Sequence, residues 1–242
     1  HDPGYGKLNP FIRLLMPLLV PHQRQLDLEA AKQVDVFIAN STETQKRIKK
    51  YYGRSSTVIH PPVETSRFTP ARKRGDHYVT IGRQLPYKRY DLAVKAATKL
   101  NKKLIVFGNG PAHDQLVKLA GPTVEFRTDR FDDASDAEYE KAITTARGFI
   151  YPAEEDFGIV SVEALAAGAP VIGLARGGTT DIVTSPDIGT LFQHQTVDDI
   201  VKAIKITEQT RFYPSKLART AKRFDKGLFL TKIKKVVRDS IS

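Results

Sequence analysis

The chain has 242 residues, of which 40% are hydrophobic and 27% charged, a composition typical of folded globular proteins that excludes wholesale disorder. It contains no cysteine, which excludes disulfides and thiolate metal sites and favours a reducing compartment, by default the cytoplasm. Its 38 Lys and Arg exceed its 27 Asp and Glu by a formal charge of +11, which favours anionic partners such as nucleotide phosphates, nucleic acid or an acidic membrane surface.

The chain begins at His1 without a Met or a signal sequence, and we expect it to be part of a longer protein. Its longest apolar run, Phe11 to Val20, contains Arg13 and Pro17 and is too short to cross a bilayer. Two interpretations remain open. The favoured one is a core helix that packs on a further domain, and the other is a segment that docks on a membrane surface.

The next segments predict a helix over 24–33, a strand over 36–39, a helix over 41–51 and a strand over 57–59. Ser41 or Thr42 would cap the second helix, and Gly53 would end it. The prolines Pro61 and Pro62 and the polar, basic residues that follow predict a linker over 63–76.

From His77 onward, short apolar runs alternate with segments of helical periodicity. This alternation predicts an α/β fold, a Rossmann-like parallel sheet with helices on both faces. The predicted strands are 78–81, 104–107, 124–126, 149–151, 171–174 and 190–192, and the predicted helices are 90–100, 112–119, 136–146, 158–167 and 197–207. This domain would cover 77–225, and a C-terminal helix would follow in 226–242.

The strongest motif is the segment Glu155-Asp156-Phe157-Gly158, which lies between a predicted strand and a predicted helix. Gly158 would let a ligand approach the helix start, where free N–H groups and the helix dipole attract phosphate. Glu155 would lie at the carboxyl edge of the sheet and Glu163 on the same helix face as Ile159. The motif predicts an anion site, although two glutamates alone would favour solvated surface acids.

Two further turns follow predicted strands. In the first, Gly82 permits a tight exit from the strand, and Arg83 and Lys88 bring two cations that could neutralise a diphosphate. In the second, Gly108 and Gly110 would leave room for a nucleotide along the same edge, or they belong to an ordinary turn. The alternative interpretation of the turn with Arg83 and Lys88 is an ordinary basic turn exposed to solvent.

Other chemistries find no support in the sequence. It has no Gly-x-Gly-x-x-Gly fingerprint, no phosphate-binding Gly-x4-Gly-Lys loop and no Gly-x-Ser-x-Gly elbow. The six histidines have no metal-binding spacing. The basic clusters lack the interleaved aromatic residues of single-strand nucleic-acid binders.

Taken together, these motifs resemble glycosyltransferase family 4, retaining sugar transferases with the GT-B fold. Glu155 and Glu163 match that family's two glutamates separated by seven residues, including the Phe-Gly after the first and the Glu-Ala-x-Ala-x-Gly-x-Pro-Val continuation. Gly82-Arg83-x4-Lys88 resembles its phosphate-binding motif and 107–111 its Gly-x-Gly-Pro turn. One departure is Asp181, which stands where the family often has Glu.

The resemblance implies that residues 1–62 are the end of an N-terminal acceptor domain and the start of a linker, and that 77–225 bind a nucleotide diphosphate sugar. Candidate catalytic residues are Glu155, Arg83 and Lys88. Candidate donor-binding residues are Gly82, Arg83, Lys88, Gly108, Gly110, Phe157, Gly158, Ile159, Val160 and Glu163. Arg83, Lys88 and the amides of Gly158 and Ile159 would bind the diphosphate, Glu163 the ribose and Glu155 the sugar.

The resemblance also implies transfer without a metal or cofactor, a glycan or lipid-linked acceptor, and a cytoplasmic location with possible contact at the inner face of a membrane. The sequence around Lys88 is similar to mannosyltransferases of polysaccharide assembly, so GDP-mannose is the first expectation and a UDP-sugar the alternative. Alone, this chain would bind donor and catalyse little. The competing hypothesis is a non-catalytic basic module for nucleic acid or an anionic membrane.

Overall fold

A computed structural model describes residues 10–128 and 133–241, with side chains from residue 16 and, after the gap, from residue 136. The N-terminal part consists of α1 (Pro10–Lys32), β1 (Phe37–Ala39), α2 (Thr42–Tyr52) and β2 (Ser56–Val58). β1 and β2 pair in parallel, so that β1, α2 and β2 form one βαβ unit. Ser41 caps α2 by accepting from the Thr44 N–H, and Gly53 ends it in the left-handed conformation.

The larger part is a six-stranded sheet of β3 to β8 in the order β5-β4-β3-β6-β7-β8, with every pair parallel. The elements are β3 (Tyr78–Ile81), α3 (Tyr90–Lys99), β4 (Leu104–Phe107), α4 (His113–Leu119), β5 (Val124–Arg127), α5 (Asp133–Thr145), β6 (Gly148–Tyr151), α6 (Ile159–Ala166), β7 (Val171–Leu174), α7 (Thr179–Ile182), β8 (Gly189–Phe192), α8 (Val197–Gln209), α9 (Pro214–Ala221) and α10 (Lys226–Ile241). Short 3₁₀ turns occupy Thr65–Arg67, Pro86–Lys88 and Lys222–Phe224.

Both faces of this sheet are covered, as predicted. Successive side chains of a strand point to opposite faces, and Val79 and Phe149 pack with α5, α6 and α9. Tyr78 and Ile150 pack with α3, α4 and α8 on the other face. Because the strands are buried on both sides, they are apolar almost throughout, which made them recognisable in the sequence.

The predicted strands agree with the observed ones to within one residue, and the ends of the predicted helices other than the first differ by up to three residues. The largest difference is α1, which starts at Pro10 and continues through Pro17 and Pro21 to Lys32, whereas the prediction started at residue 24. Proline normally interrupts a helix, which is why the earlier turns were not predicted. The short helices α7 and α9 were also missed.

Residues 63–76, predicted as a linker, lie against the larger sheet domain. Val63 and Phe68 are buried in the same core as α5 and α6. The Val63 N–H donates to the Phe224 carbonyl over 3.0 Å, and the Lys226 N–H donates to the Val63 carbonyl over 3.2 Å. The division of the chain at 62, 76 and 225 stays a prediction, but the segment is anchored along its length.

Arg74 makes a further contact between this segment and the sheet domain. Its guanidinium donates to the Ala146 carbonyl over 2.9 Å and to the Ala167 carbonyl over 3.0 Å, so it satisfies groups at the ends of α5 and α6. Burial lowers the pKa of Arg74 to about 10. The positive charge also lies at the negative end of two helix dipoles.

We therefore predict that Arg74→Met lowers the free energy of unfolding by about 2 to 3 kcal/mol, because two carbonyls lose their charged donor. Urea denaturation measures the change. Arg72→Met is the matched control, since Arg72 is exposed in the same segment. Equal stability of the two variants would contradict the anchoring role of Arg74.

Candidate functional site

A cleft of about 520 Å³ opens between β3 and β6, at the carboxyl ends of the strands. From β3 the chain proceeds to β4 and β5 on one side, and from β6 to β7 and β8 on the other, so the strand order reverses at this point. Open α/β sheets bind ligands at such switch points. The residues that line the cleft are Asn40, Pro61, Ile81, Gly82, Tyr87, Lys88, Tyr151, Glu154, Glu155, Asp156, Phe157, Gly158, Ile159 and Val160.

The first turn of α6 forms one end of the cleft. Gly158 precedes it with φ 89°, and no side chain caps the helix. A Cβ at Gly158 would lie 2.9 Å from Cε1 of Tyr151, so both the backbone conformation and the available space require glycine. The helix start thus presents backbone N–H groups and a positive dipole to an anionic ligand.

The segment Glu155-Asp156-Phe157-Gly158, hereafter the acidic loop, is fixed by backbone contacts with Gly177 and Gly178. The Gly178 N–H donates to the Glu155 carbonyl over 2.9 Å. A Cβ at Gly178 would lie 2.2 Å from Cα of Phe157, and one at Gly177 would lie 2.3 Å from the Glu155 carbonyl oxygen. These two glycines therefore permit a close backbone contact that fixes the acidic loop.

The opposite end of the cleft is the turn after β3. A Cβ at Gly82 would lie 2.5 Å from the hydroxyl of Tyr90, which itself donates to the Ile81 carbonyl over 2.7 Å. The 3₁₀ turn Pro86–Lys88 then brings Lys88 back into the cleft. Arg83 is exposed, does not line the cleft and has no ion pair within the described parts of the chain.

The carboxylate of Glu155 joins the two ends of the cleft. Nζ of Lys88 lies 3.0 Å from its Oε1, and the Tyr87 hydroxyl donates to the same oxygen over 3.5 Å. The Tyr151 hydroxyl donates to Oε2. The pKa of Tyr151 is raised, first by burial and then by the charge of Glu155, so this hydroxyl remains a donor at neutral pH.

Gly108 and Gly110 lie beside the cleft, and neither lines it. A Cβ at Gly108 would lie 2.5 Å from the Gly82 carbonyl oxygen, and one at Gly110 would lie 2.7 Å from the Gln84 carbonyl oxygen. Both glycines therefore allow the turns after β3 and β4 to pack together. This packing explains Gly108 and Gly110 without a ligand, and a role for them in nucleotide binding stays a proposal.

Glu163, expected to hold a ribose, also lies outside the lining of the cleft. Tyr139 on α5 donates its hydroxyl to Oε2 of Glu163 over 3.0 Å. Burial raises the pKa of Glu163, while the bond from Tyr139 and the nearby charge of Arg67 oppose the rise. Its other oxygen, Oε1, has no partner within 10–128 and 133–241 and could accept from a ligand.

The sequence reasoning missed the contact between the N-terminal βαβ unit and the acidic loop. The His60 ring stacks on Phe157 with centroids 5.3 Å apart, and its Nε2 lies 3.0 Å from Oδ2 of Asp181. Asp181 also accepts from the Thr42 N–H over 2.7 Å and from the Thr42 hydroxyl. These partners are far apart in sequence, so no local pattern indicated them.

Burial pushes the pKa of Asp181 upward, but the hydrogen bonds from Thr42 and His60 outweigh burial and leave it below its ordinary value. The carboxylate is therefore ionised at neutral pH at the start of α2, where the helix dipole favours it. A second contact, between Nη1 of Arg47 and Oδ1 of Asp156 at 2.6 Å, joins α2 to the acidic loop.

A second cleft, metal sites and membrane-spanning helices are the other features that could indicate a function. A larger cleft of about 690 Å³ lies beside the first and includes Tyr87, Arg89, Gln115 and Gln195, but it contains none of the predicted donor-binding residues. In the part of the chain that the structure describes, no group of three His, Cys, Asp or Glu side chains could hold a metal ion. The same residues contain no helix long and apolar enough to cross a membrane.

Residues 62–224, more than half of the chain, match the family model described as glycosyl transferases group 1. The chain belongs to this family. The D-inositol 3-phosphate glycosyltransferase of Mycobacterium tuberculosis (strain H37Rv) is 28% identical, over 73% of this chain and 41% of the relative. The chain thus spans about two-fifths of the length of the curated relatives it matches.

Solved structures confirm the GT-B type of fold. Sucrose-phosphate synthase from Thermosynechococcus elongatus superposes with a TM-score of 0.77 and 19% identity, over 90% of this chain and 61% of that one. Anabaena HepE in complex with UDP and glucose gives a TM-score of 0.76 and 19% identity, over 90% of this chain and 67% of that one.

The buried carboxylate of Glu163 yields a pH-dependent prediction. A carboxyl group whose pKa is raised by folding destabilises the folded state once the unfolded chain ionises, that is, as the pH rises through about 4.5. We predict that Glu163→Gln is as stable as the wild type near pH 3 and more stable at pH 7. Urea denaturation at both pH values tests it, and a variant that is equally or less stable at pH 7 would contradict the account.

Proposed function

We propose that this glycosyl transferases group 1 domain binds a nucleotide diphosphate sugar in the switch-point cleft and serves as the donor half of a retaining glycosyltransferase. The observation that carries the proposal is the uncapped first turn of α6, which faces Lys88 and Gly82 across the cleft. An anion between them meets backbone N–H groups on one side and a cation on the other.

Leaving-group stabilisation is the chemistry that this arrangement supplies. The departing diphosphate gains negative charge as the glycosidic bond breaks, and Lys88, Arg83 and the α6 dipole stabilise that charge. Lys88 now pairs with Glu155 and would turn toward the phosphate when the donor binds. Arg83, exposed and without an ion pair in the described residues, would close over the outer phosphate.

Glu155 suits a binding role better than that of a covalent nucleophile. Both of its oxygens are engaged, since Oε1 accepts a hydrogen bond from Tyr87 and forms an ion pair with Lys88, and Oε2 accepts a hydrogen bond from Tyr151. A carboxylate with both oxygens so engaged is a weaker nucleophile, and it is well placed to hold a sugar hydroxyl. We therefore propose attack on the same face as the leaving group, with an ion-pair-like transition state.

We propose GDP-mannose as the donor and a UDP-sugar as the alternative. GDP-mannose follows from the similarity of the Lys88 region to mannosyltransferases, whereas UDP-glucose is named in the structure of a relative, Anabaena HepE. Competition between GDP-mannose and UDP-glucose for the same chain would separate the two.

Acceptor, metal use and location are also proposals. We propose a glycan or lipid-linked acceptor, transfer without a metal or cofactor, and a cytoplasmic enzyme with peripheral membrane contact. Leu18 and Leu19 of α1 are exposed, which fits both a helix that packs on a further domain and a segment that docks on a membrane. The hypothesis of a basic module for nucleic acid or membranes is not favoured, because the chain belongs to a transferase family.

The first prediction concerns nucleotide binding. Arg83→Ala should weaken the binding of the preferred nucleoside diphosphate by about 10- to 100-fold, because a charged hydrogen bond to phosphate is lost. Calorimetric titration with GDP and UDP measures it, with Arg72→Ala as the control. Absence of nucleotide binding in the wild type, or an unchanged affinity in Arg83→Ala, would contradict the proposed function.

A second prediction concerns Tyr151, which we expect to position Glu155. Tyr151→Phe should weaken binding of the preferred nucleotide sugar about tenfold while the affinity for the nucleoside diphosphate changes by less than about twofold, because one hydrogen bond to the charged Glu155 is lost. Calorimetric titration with both ligands measures the two affinities. Tyr51→Phe is the control, since Tyr51 is exposed on α2. A Tyr151→Phe variant with wild-type affinity for the nucleotide sugar would exclude the positioning role.

A further inference from the structure

Asn40 brings a polar group from the N-terminal βαβ unit into the switch-point cleft. It directly follows β1, at the carboxyl end of that strand, and it lines the same cleft as Glu155, Lys88 and Gly158. Its neighbour in the lining from the same unit is Pro61, which has no side-chain hydrogen-bonding group. Asn40 is therefore the polar side chain that the N-terminal unit contributes to the lining.

A short chain of hydroxyls fixes the orientation of this amide. Ser41, fully buried, donates to Oγ1 of Thr44 over 3.1 Å, and Thr44 donates to Oδ1 of Asn40 over 2.6 Å. Because the carbonyl oxygen is engaged with α2, the amide nitrogen is directed away from the helix. Its two N–H donors have no partner in the described residues.

The position of Asn40 relative to the cleft is fixed as well. Thr42, two residues further on, is bound through its N–H and its hydroxyl to the carboxylate of Asp181. Arg47, one turn and a half along α2, is bound to Asp156 in the acidic loop. Asn40 thus faces the cleft from an element attached to the loop that carries Glu155.

We propose that the Asn40 amide donates a hydrogen bond to a hydroxyl of the transferred sugar and is a specificity-determining residue of the donor site. This inference rests on the proposed function. The phosphates are attracted to the cations and to the α6 dipole, whereas a neutral amide suits an uncharged hydroxyl. Asn40 is partly buried in the free protein. A bound sugar would shield its amide from water, so a sugar that lacks the contacted hydroxyl would leave the donor unpaired.

The test compares binding of the nucleoside diphosphate alone with binding of its sugar conjugate. Calorimetry is done with UDP and UDP-glucose, and with GDP and GDP-mannose, on the full chain. The comparison uses the nucleoside diphosphate and sugar conjugate that the wild type prefers. Asn40→Ala should lower the affinity for the sugar conjugate about 5- to 10-fold and change the affinity for the nucleoside diphosphate by less than about twofold. Gln209→Ala, which removes an exposed amide at the end of α8, should change neither.

Thr44→Val is a second variant, since it keeps the amide and removes the hydroxyl that orients it. It should weaken the sugar conjugate by a smaller factor, again without affecting the nucleoside diphosphate. A set of deoxy-sugar donors then identifies the contacted hydroxyl, because the donor that lacks it should lose affinity in the wild type and not in Asn40→Ala.

Three outcomes would overturn the inference while leaving the proposed function standing. They are equal weakening of both ligands by Asn40→Ala, no effect on either, and the same deoxy-sugar penalty in wild type and variant. Failure of the wild type to bind any nucleoside diphosphate would instead contradict the proposed function itself.

Discussion

The uncapped start of α6 is the feature on which the rest of the site depends. A helix normally satisfies its first N–H groups with a side-chain cap, but here Gly158 adopts φ 89° and supplies none. Leaving these donors unpaired is unfavourable unless water or an anion reaches them. The surroundings enforce this arrangement, because the ring of Tyr151 lies against Gly158 and Gly178 packs directly under Phe157.

The charged groups around the start of α6 favour a bound ligand and lower the stability of the ligand-free protein. Glu155 and Lys88 neutralise one another across the cleft, and a bound diphosphate would replace that pair. Glu163 keeps a carboxylate in a largely buried position with Tyr139 as its hydrogen-bond donor, and burial raises its pKa. Strain and destabilised ionised groups of this kind are common where structure serves binding.

The sheet and the main motifs were predictable because their causes are local. Strands buried on both faces must be apolar, so β3, β4 and β7 are visible as short β-branched runs. Gly158 is visible because only glycine fits its place. The prediction failed for α1, where two prolines lie inside a helix, and for α9, a short segment whose docking on α6 decides its structure.

The contacts that complete the site were not predictable, because they join residues far apart in sequence. No local pattern indicates the bond between His60 and Asp181 or the stacking of His60 on Phe157, because both contacts arise where the residues after β2 approach α7. Likewise, the direction of Glu163 toward Tyr139 depends on how α5 packs against α6.

Amide hydrogen exchange with and without UDP or GDP tests the central claim that the α6 start binds the diphosphate. The account predicts that protection increases at 158–160 and 82–88. Protection confined to 112–116, beside the larger neighbouring cleft, or no change in either region, would contradict it.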